Sequence, residues 1–121
     1  MLIQAALVES PGGPFTIRDI DIEKPRPDEI LVRITAAGIC HTDLSMRRGW
    51  RRELSPMVFG HEGAGVVEAV GGEVTSVVPG DAVGLSYRSC GICEQCVAGH
   101  PAYCVRSDLN ARGTGPTAAP H

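Results

Sequence analysis

Aromatic side chains are scarce in this chain, with two Phe, two Tyr and one Trp among 121 residues. Apolar residues still make up 43%, enough for a core. At this length one domain fits, and roughly two-thirds of the unfolded surface can be buried. A positive excess is also missing. The net charge of −3 argues against a nucleic-acid or anionic-membrane surface, both of which want a basic excess. No long apolar run occurs: the first, residues 2–8, is interrupted by Gln4, and no charged n-region precedes it. That is too short for a signal h-region or a membrane span, so the expected location is cytoplasmic.

What is plentiful is Gly (15) and Pro (9), which favour short strands and many turns over long helices. There are five cysteines. In a reducing compartment disulfides rarely persist, so these read as thiolates for metal or chemistry.

The first 35 residues have β texture. Residues 2–8 form an apolar run, Ser10-Pro11-Gly12-Gly13-Pro14 a strong turn, and Phe15, Ile17, Ile20 and Ile22 follow in near-alternation. Pro25-Arg26-Pro27 breaks the chain. Residues 30–36 are β-branched and are expected to form a central strand. Residues 41–48 are short and polar, compatible with a turn of helix capped by Thr42 or Asp43. Strand character returns at 66–70 and 82–85, separated by a turn at 77–81. Residues 110–121 have no period and are expected to be disordered. Gly63-Ala64-Gly65 begins like a dinucleotide fingerprint, but Glu68 stands where the last Gly belongs. A strand pattern also follows where the fingerprint needs a helix. The plainer reading is glycines that let strands approach closely.

Between residues 89 and 103 hydrophobic patterning disappears and cysteines take over. Cys90-x2-Cys93-x2-Cys96-x7-Cys104 is the strongest single signal in the chain. A tetrahedral zinc needs four soft ligands about 2.3 Å from one point, and four thiolates leave no open position, so such a zinc is structural. Three rival readings stay open. One is a disulfide pair; another is an iron–sulfur site, since the first three spacings are those of ferredoxin runs, although no second cluster motif exists. The last is a zinc with His100 in place of Cys104.

A second constellation combines Cys40-His41-Thr42-Asp43 with Gly60-His61-Glu62-Gly63. A lone Cys is usually a small core residue and a lone His usually structural. Here Cys40 directly follows a predicted strand, and His61 and Glu62 sit between glycines at the entrance to another. A catalytic zinc keeps three protein ligands and one exchangeable position. Asp43 can accept the free N–H of His61 and fix its tautomer.

With both motifs and the spaced cysteines in order, residues 1–108 resemble the zinc-dependent alcohol dehydrogenases of the medium-chain superfamily. The stretch Pro56-Met57-Val58-Phe59-Gly60-His61-Glu62 looks closest to the aryl- or benzyl-alcohol branch. The resemblance implies a mainly β fold, a GroES-like, partly open β-barrel with short helices and a zinc-binding cysteine lobe at about 89–105. It implies that Cys40 and His61 are catalytic zinc ligands and that Glu62 lies close to the metal, able to exchange with water. Asp43 would support His61, and Thr42 would take the alcohol proton. His41 would contact the cofactor pyrophosphate, unless it is simply an exposed loop His. Trp50 would border the substrate pocket, unless it fills the core. The implied cofactors are one structural zinc, one catalytic zinc, and NAD or NADP in full-length relatives. The implied substrate is a small alcohol or aldehyde, and full-length relatives would be homo-oligomers.

Three departures stand out. Ser45 occupies a position where several relatives carry a relay histidine. Arg47, Arg48, Arg51 and Arg52 form an unusual cluster, expected to be a solvated loop. Beyond about residue 108 the similarity ends, so the family's third zinc-ligating cysteine and its Rossmann domain are absent from residues 109–121. The expectation is a catalytic-domain fragment of a zinc-dependent dehydrogenase, incompetent alone. The alternative is a non-enzymatic zinc-binding β-barrel that serves as an interaction module.

Overall fold

The computed structural model describes residues 1–49 and 55–106. Trp50, Arg51, Arg52 and the 109–121 tail, on which expectations fell, lie outside the described residues. The chain divides into two compact units, Met1–Leu85 and a second beginning at Ser86.

The first unit holds two three-stranded antiparallel sheets. In one, β1 (Leu2–Val8) lies between β2 (Thr16–Asp21) and β4 (Met57–Val58). The expected turn joins β1 to β2. Gly12 takes φ 76° there, a left-handed conformation that glycine adopts without steric cost, and Gly13 N–H donates to Ser10 O at 2.9 Å. In the other sheet, β5 (Gly63–Val70) lies between β3 (Ile30–Ala37) and β6 (Ala82–Gly84). The two do not close into a complete barrel among the described residues.

The expectation of a central strand at 30–36 is corrected here: β3 is an edge of its sheet and β5 is the centre. A β-branched run reports fitness for a pleated, half-buried surface, not position in the sheet. The central strand is the glycine-punctuated one. Gly65 explains why, since a Cβ there would run into the Arg33 carbonyl of β3. The stretch that begins like a dinucleotide fingerprint is therefore a strand, and its glycines serve close approach.

Among the described residues, Val8 of β1 and Val67 of β5 are the fully buried apolar side chains, at 0% and 1% exposure. Val67 is also tied by its backbone to the following turn, donating to Asp81 O at 2.9 Å and accepting from Gly80 N–H at 2.9 Å. Asp81 closes that turn through its carboxylate, which accepts from Val78 N–H at 2.9 Å. Two buried valines contribute roughly 1.5–3 kcal/mol each, so the strand ladders carry much of this unit's cohesion.

Helix α1 (His41–Gly49) follows β3. Its start differs from the expected Thr42 or Asp43 cap. Cys40 holds the cap position, with Asp43 N–H donating to Cys40 O at 3.1 Å. Asp43 Oδ2 reaches back to accept Cys40 N–H at 3.0 Å. That is one arm of a capping box. Asp43 in the first turn and Arg47 and Arg48 in the last both complement the helix dipole.

Among the described residues, the second unit contains one short helix, α2 (Glu94–Val97), and a 3-10 turn at Pro101–Tyr103. Its apolar side chains point outward: Ile92 is 82% exposed, Val97 75% and Tyr103 73%. Burial does not hold the described residues of this unit together. Among the described residues, no helix is long and apolar enough to cross a membrane.

Candidate metal centres

The register of β3 against β5 builds the first centre. Ala37 at the end of β3 lies opposite Gly63 at the start of β5, so residues just after 37 must meet residues just before 63. Gly38 N–H donates to Glu62 O at 2.7 Å and continues the ladder into the loop. Cys40, His61 and Glu62 are brought together, their ligand atoms all within 4.8 Å of one another. Gly60, with φ 142°, lets the chain turn into His61.

Gly38 is a site residue that the sequence reasoning missed. A Cβ on it would overlap the Glu62 carboxylate, and would stand 3.0 Å from Glu62 Cβ. The missing side chain makes room for the acid. The only cue in the sequence was a glycine directly before Ile39-Cys40.

Asp43 is the one buried charged residue among those described, at 7% exposure. While Oδ2 takes Cys40 N–H, Oδ1 lies 3.1 Å from His61 Nδ1. With the ring proton on Nδ1, Nε2 presents its lone pair toward the donor group, 3.8 Å from Glu62 Oε1. This is how an outer carboxylate orients a metal-binding imidazole. Thr42 Oγ1 lies 3.5 Å from Cys40 Sγ. The Thr42 hydroxyl and backbone N–H hold the Cys40 thiol below its ordinary value, and His61 acts the same way. The thiol's hydrogen bond raises the His61 pKa, and the nearby Asp43 charge adds to it. A thiolate and a neutral imidazole are the forms a metal ion binds.

His41 and Ser45 are exposed on α1. Arg47 departs from the expected solvated loop. It lies on α1, half-buried, with Nη1 donating to Gly13 O at 2.6 Å and the guanidinium 5.5 Å above the Phe15 ring. Arg48, next to it, is exposed on the same helix.

The second centre lies in the second unit. Cys90, Cys93, Cys96 and Cys104 place their four Sγ atoms within 4.8 Å of one another. A tetrahedron with metal–sulfur bonds of about 2.3 Å requires sulfurs about 3.8 Å apart, and Cys90 and Cys96 are at 4.0 Å. All five cysteines are free thiols, and 4.0 Å is about twice a disulfide bond. Among the described residues the donor group includes Cys104 and not His100, whose ring packs edge-on against Tyr103.

Backbone amides point at these sulfurs. Cys93 N–H donates to Cys90 Sγ and Cys90 N–H to Cys104 Sγ, both at 3.3 Å, and Arg106 N–H reaches Cys104 Sγ at 3.4 Å. The Val105 and Cys96 amides bring the Cys93 thiol down to about 6, and the Cys90 and Arg106 amides lower Cys104. Desolvation, with the neighbouring Cys93, pushes Cys96 up to about 11. Four sulfurs facing inward at this spacing, with amides arranged to stabilise thiolates, fit one tetrahedral ion. They leave a short, core-poor unit unexplained without one.

Residues 26–119 match the alcohol dehydrogenase GroES-like domain, and the chain belongs to that family. Geraniol dehydrogenase of Castellaniella defragrans is 48% identical over 103 residues, covering 85% of this chain and 27% of that protein. An alcohol dehydrogenase zinc-binding domain protein from Burkholderia ambifaria superposes with a TM-score of 0.82 at 48% identity, over 87% of this chain and 28% of its own. Benzyl alcohol dehydrogenase from Acinetobacter calcoaceticus gives 0.81 at 45%, over 87% and 29%. This chain therefore spans less than a third of the length of these relatives.

Proposed function

We propose that this chain is the metal-binding catalytic part of a zinc-dependent alcohol dehydrogenase, acting on a primary, aryl-type alcohol with NAD or NADP. The observation that carries this reading is the pairing of two unlike donor groups. One has four cysteine sulfurs at the spacing of a tetrahedron; the other, Cys40, His61 and Glu62, has three donors and would leave a fourth position on a bound ion. An interaction module needs the first group and has no use for the second.

Cys40, His61 and Glu62 would hold a zinc ion, which would supply a Lewis acid to lower the alcohol's pKa and, in reverse, to polarise the aldehyde carbonyl. The chain's own residues do the rest. Asp43 fixes His61 with Nε2 toward the donor group. Thr42 Oγ1, beside Cys40 Sγ, accepts the alcohol proton while giving up its own. With Ser45 exposed on the next turn of α1 in place of a relay histidine, that proton passes to solvent. His41, exposed at the start of the helix, would contact the phosphates of a bound cofactor. Cys90, Cys93, Cys96 and Cys104 hold a structural ion. Free thiols throughout suit a cytoplasmic location.

Cobalt(II) loading tests the reading. Bands from the three-donor centre should shift when benzyl alcohol or imidazole is added, while those from the four-thiolate centre stay fixed. An unresponsive spectrum would sink it. The 121-residue polypeptide is expected to bind metal without turning over benzyl alcohol with NAD, and turnover would refute that expectation.

A further inference from the structure

The catalytic donor group is made by two separate segments, the start of α1 with Cys40 and Asp43, and the loop 59–62 with His61 and Glu62. Their positions relative to each other decide whether three donor atoms converge. One side chain outside the donor group touches the supports of both. Arg47 lies at the far end of α1 from Cys40. Its Nη1 donates to Gly13 O at 2.6 Å, and its backbone carbonyl accepts Gly12 N–H at 2.7 Å. The helix end is thus tied to the β1–β2 turn through both side chain and main chain.

The same guanidinium lies 5.5 Å above the Phe15 ring. Phe15 meets Phe59 edge-on, with centroids 6.3 Å apart and planes at 85°. Phe59 stands two residues before His61 and directly after β4, whose pairing with β1 is confined to Leu7–Val58 and Val8–Met57. A two-residue strand fixes direction poorly, so the ring contact supplies what the ladder lacks. Arg47 Nε is buried and finds no hydrogen-bond partner among the described residues. A surface arginine would keep that group in water; this one is held by the carbonyl and the ring at a cost in desolvation.

We propose that Arg47 is a positioning residue for the catalytic metal centre, its guanidinium linking the helix that carries Cys40 and Asp43 to the Phe15–Phe59 pair that sets the entry to His61. This rests on the reading of Cys40, His61 and Glu62 as a metal centre. Replacing outer supports of metal ligands typically costs 10–100-fold in affinity. Arg47 acts one step further out, so the loss belongs at the lower end, about 10-fold.

The test is a cobalt(II) titration of the 121-residue chain, under conditions where circular dichroism shows each variant folded. The wild type should take two equivalents and Cys40→Ala one. Should the wild type take only one, the metal-centre reading fails and Arg47 has nothing to position. Arg47→Ala should bind the four-thiolate equivalent unchanged, and the other about 10-fold more weakly with altered visible bands. Arg47→Lys keeps a donor for Gly13 O and should recover at least half of that affinity. The proposal is overturned if Arg47→Ala binds the second equivalent with wild-type affinity and bands. Equal weakening at both centres, or no recovery in Arg47→Lys, overturns it as well.

Discussion

Replacing Asp43 with Asn keeps the side chain's shape and removes one acceptor. In the native arrangement both carboxylate oxygens are used, Oδ2 by Cys40 N–H at 3.0 Å and Oδ1 by His61 Nδ1 at 3.1 Å. An amide has one oxygen for these two donors. If the oxygen stays with the helix, the NH2 group faces Nδ1, the ring proton must move to Nε2, and that nitrogen can no longer bind a metal. If the oxygen turns to His61, the NH2 group opposes Cys40 N–H and α1 loses its tie at the cap, worth about 1 kcal/mol. Hydrogen bonds to charged groups contribute about 1.5–3 kcal/mol, and the side chain is only 9% exposed, so little screening applies. At about 1.4 kcal/mol per tenfold, that corresponds to roughly a 10–100-fold loss at the catalytic centre, the range found for outer carboxylates. Competition against a chromophoric chelator measures it. The four-thiolate centre, made entirely of residues 90–104, serves as an internal control and should keep its affinity. Wild-type zinc affinity at the catalytic centre in Asp43→Asn would refute the reasoning.

Gly38→Ala should fold, because the clashing Glu62 oxygen is at the end of a side chain that can swing away; the displaced carboxylate should weaken the catalytic centre about 10-fold, read by the same titration. Gly71→Ala should behave differently. Its Cβ would stand 2.5 Å from Pro27 C and overlap the Arg26 carbonyl, so backbone must move by about 1.5 Å to reach ordinary contact. That disturbs the bonds from Gly71 N–H to Glu29 O and from Glu73 N–H to Pro27 O, both 2.8 Å, and a loss of about 3 kcal/mol in denaturant unfolding is expected; a loss under 1 kcal/mol would contradict it. Zinc affinity of the cysteine lobe should rise with pH from neutrality upward. The thiol at about 6 (Cys93) is already ionised there, whereas the one at about 11 (Cys96) must release its proton on binding. Below about 6, protons compete for Cys93 as well and affinity should fall more steeply. Proton release in weak buffer checks this, and pH-independent binding would contradict it.

Strand existence was legible because β1, β2, β5 and β6 follow runs and turns whose residues leave few other options. Position within the sheet was not. Residues 30–36 have the composition of a buried strand yet form an edge, because the centre went to the strand whose glycines allow neighbours close on either side. The cap of α1 was misplaced by two or three residues because a cysteine, not Thr42 or Asp43, holds it. That cap is stabilised from behind by a carboxylate that also serves His61. The thiol spacing of 90–104 points directly to convergence, since four soft ligands in a short, core-poor segment have little else to organise them. Gly38, Arg47 and the Phe15–Phe59 contact could not be read from spacing. Each matters through a partner distant in sequence, and pairings of that kind appear only once the register of β3 with β5 and of β1 with β4 is known.

Two unlike metal centres in one chain are tested most directly by native mass spectrometry of the zinc-loaded polypeptide before and after mild chelation. Two zinc ions per chain are expected, with one lost on chelation and the other retained until the thiols of 90–104 are blocked. A single ion, no ion, or two ions that leave together would contradict it.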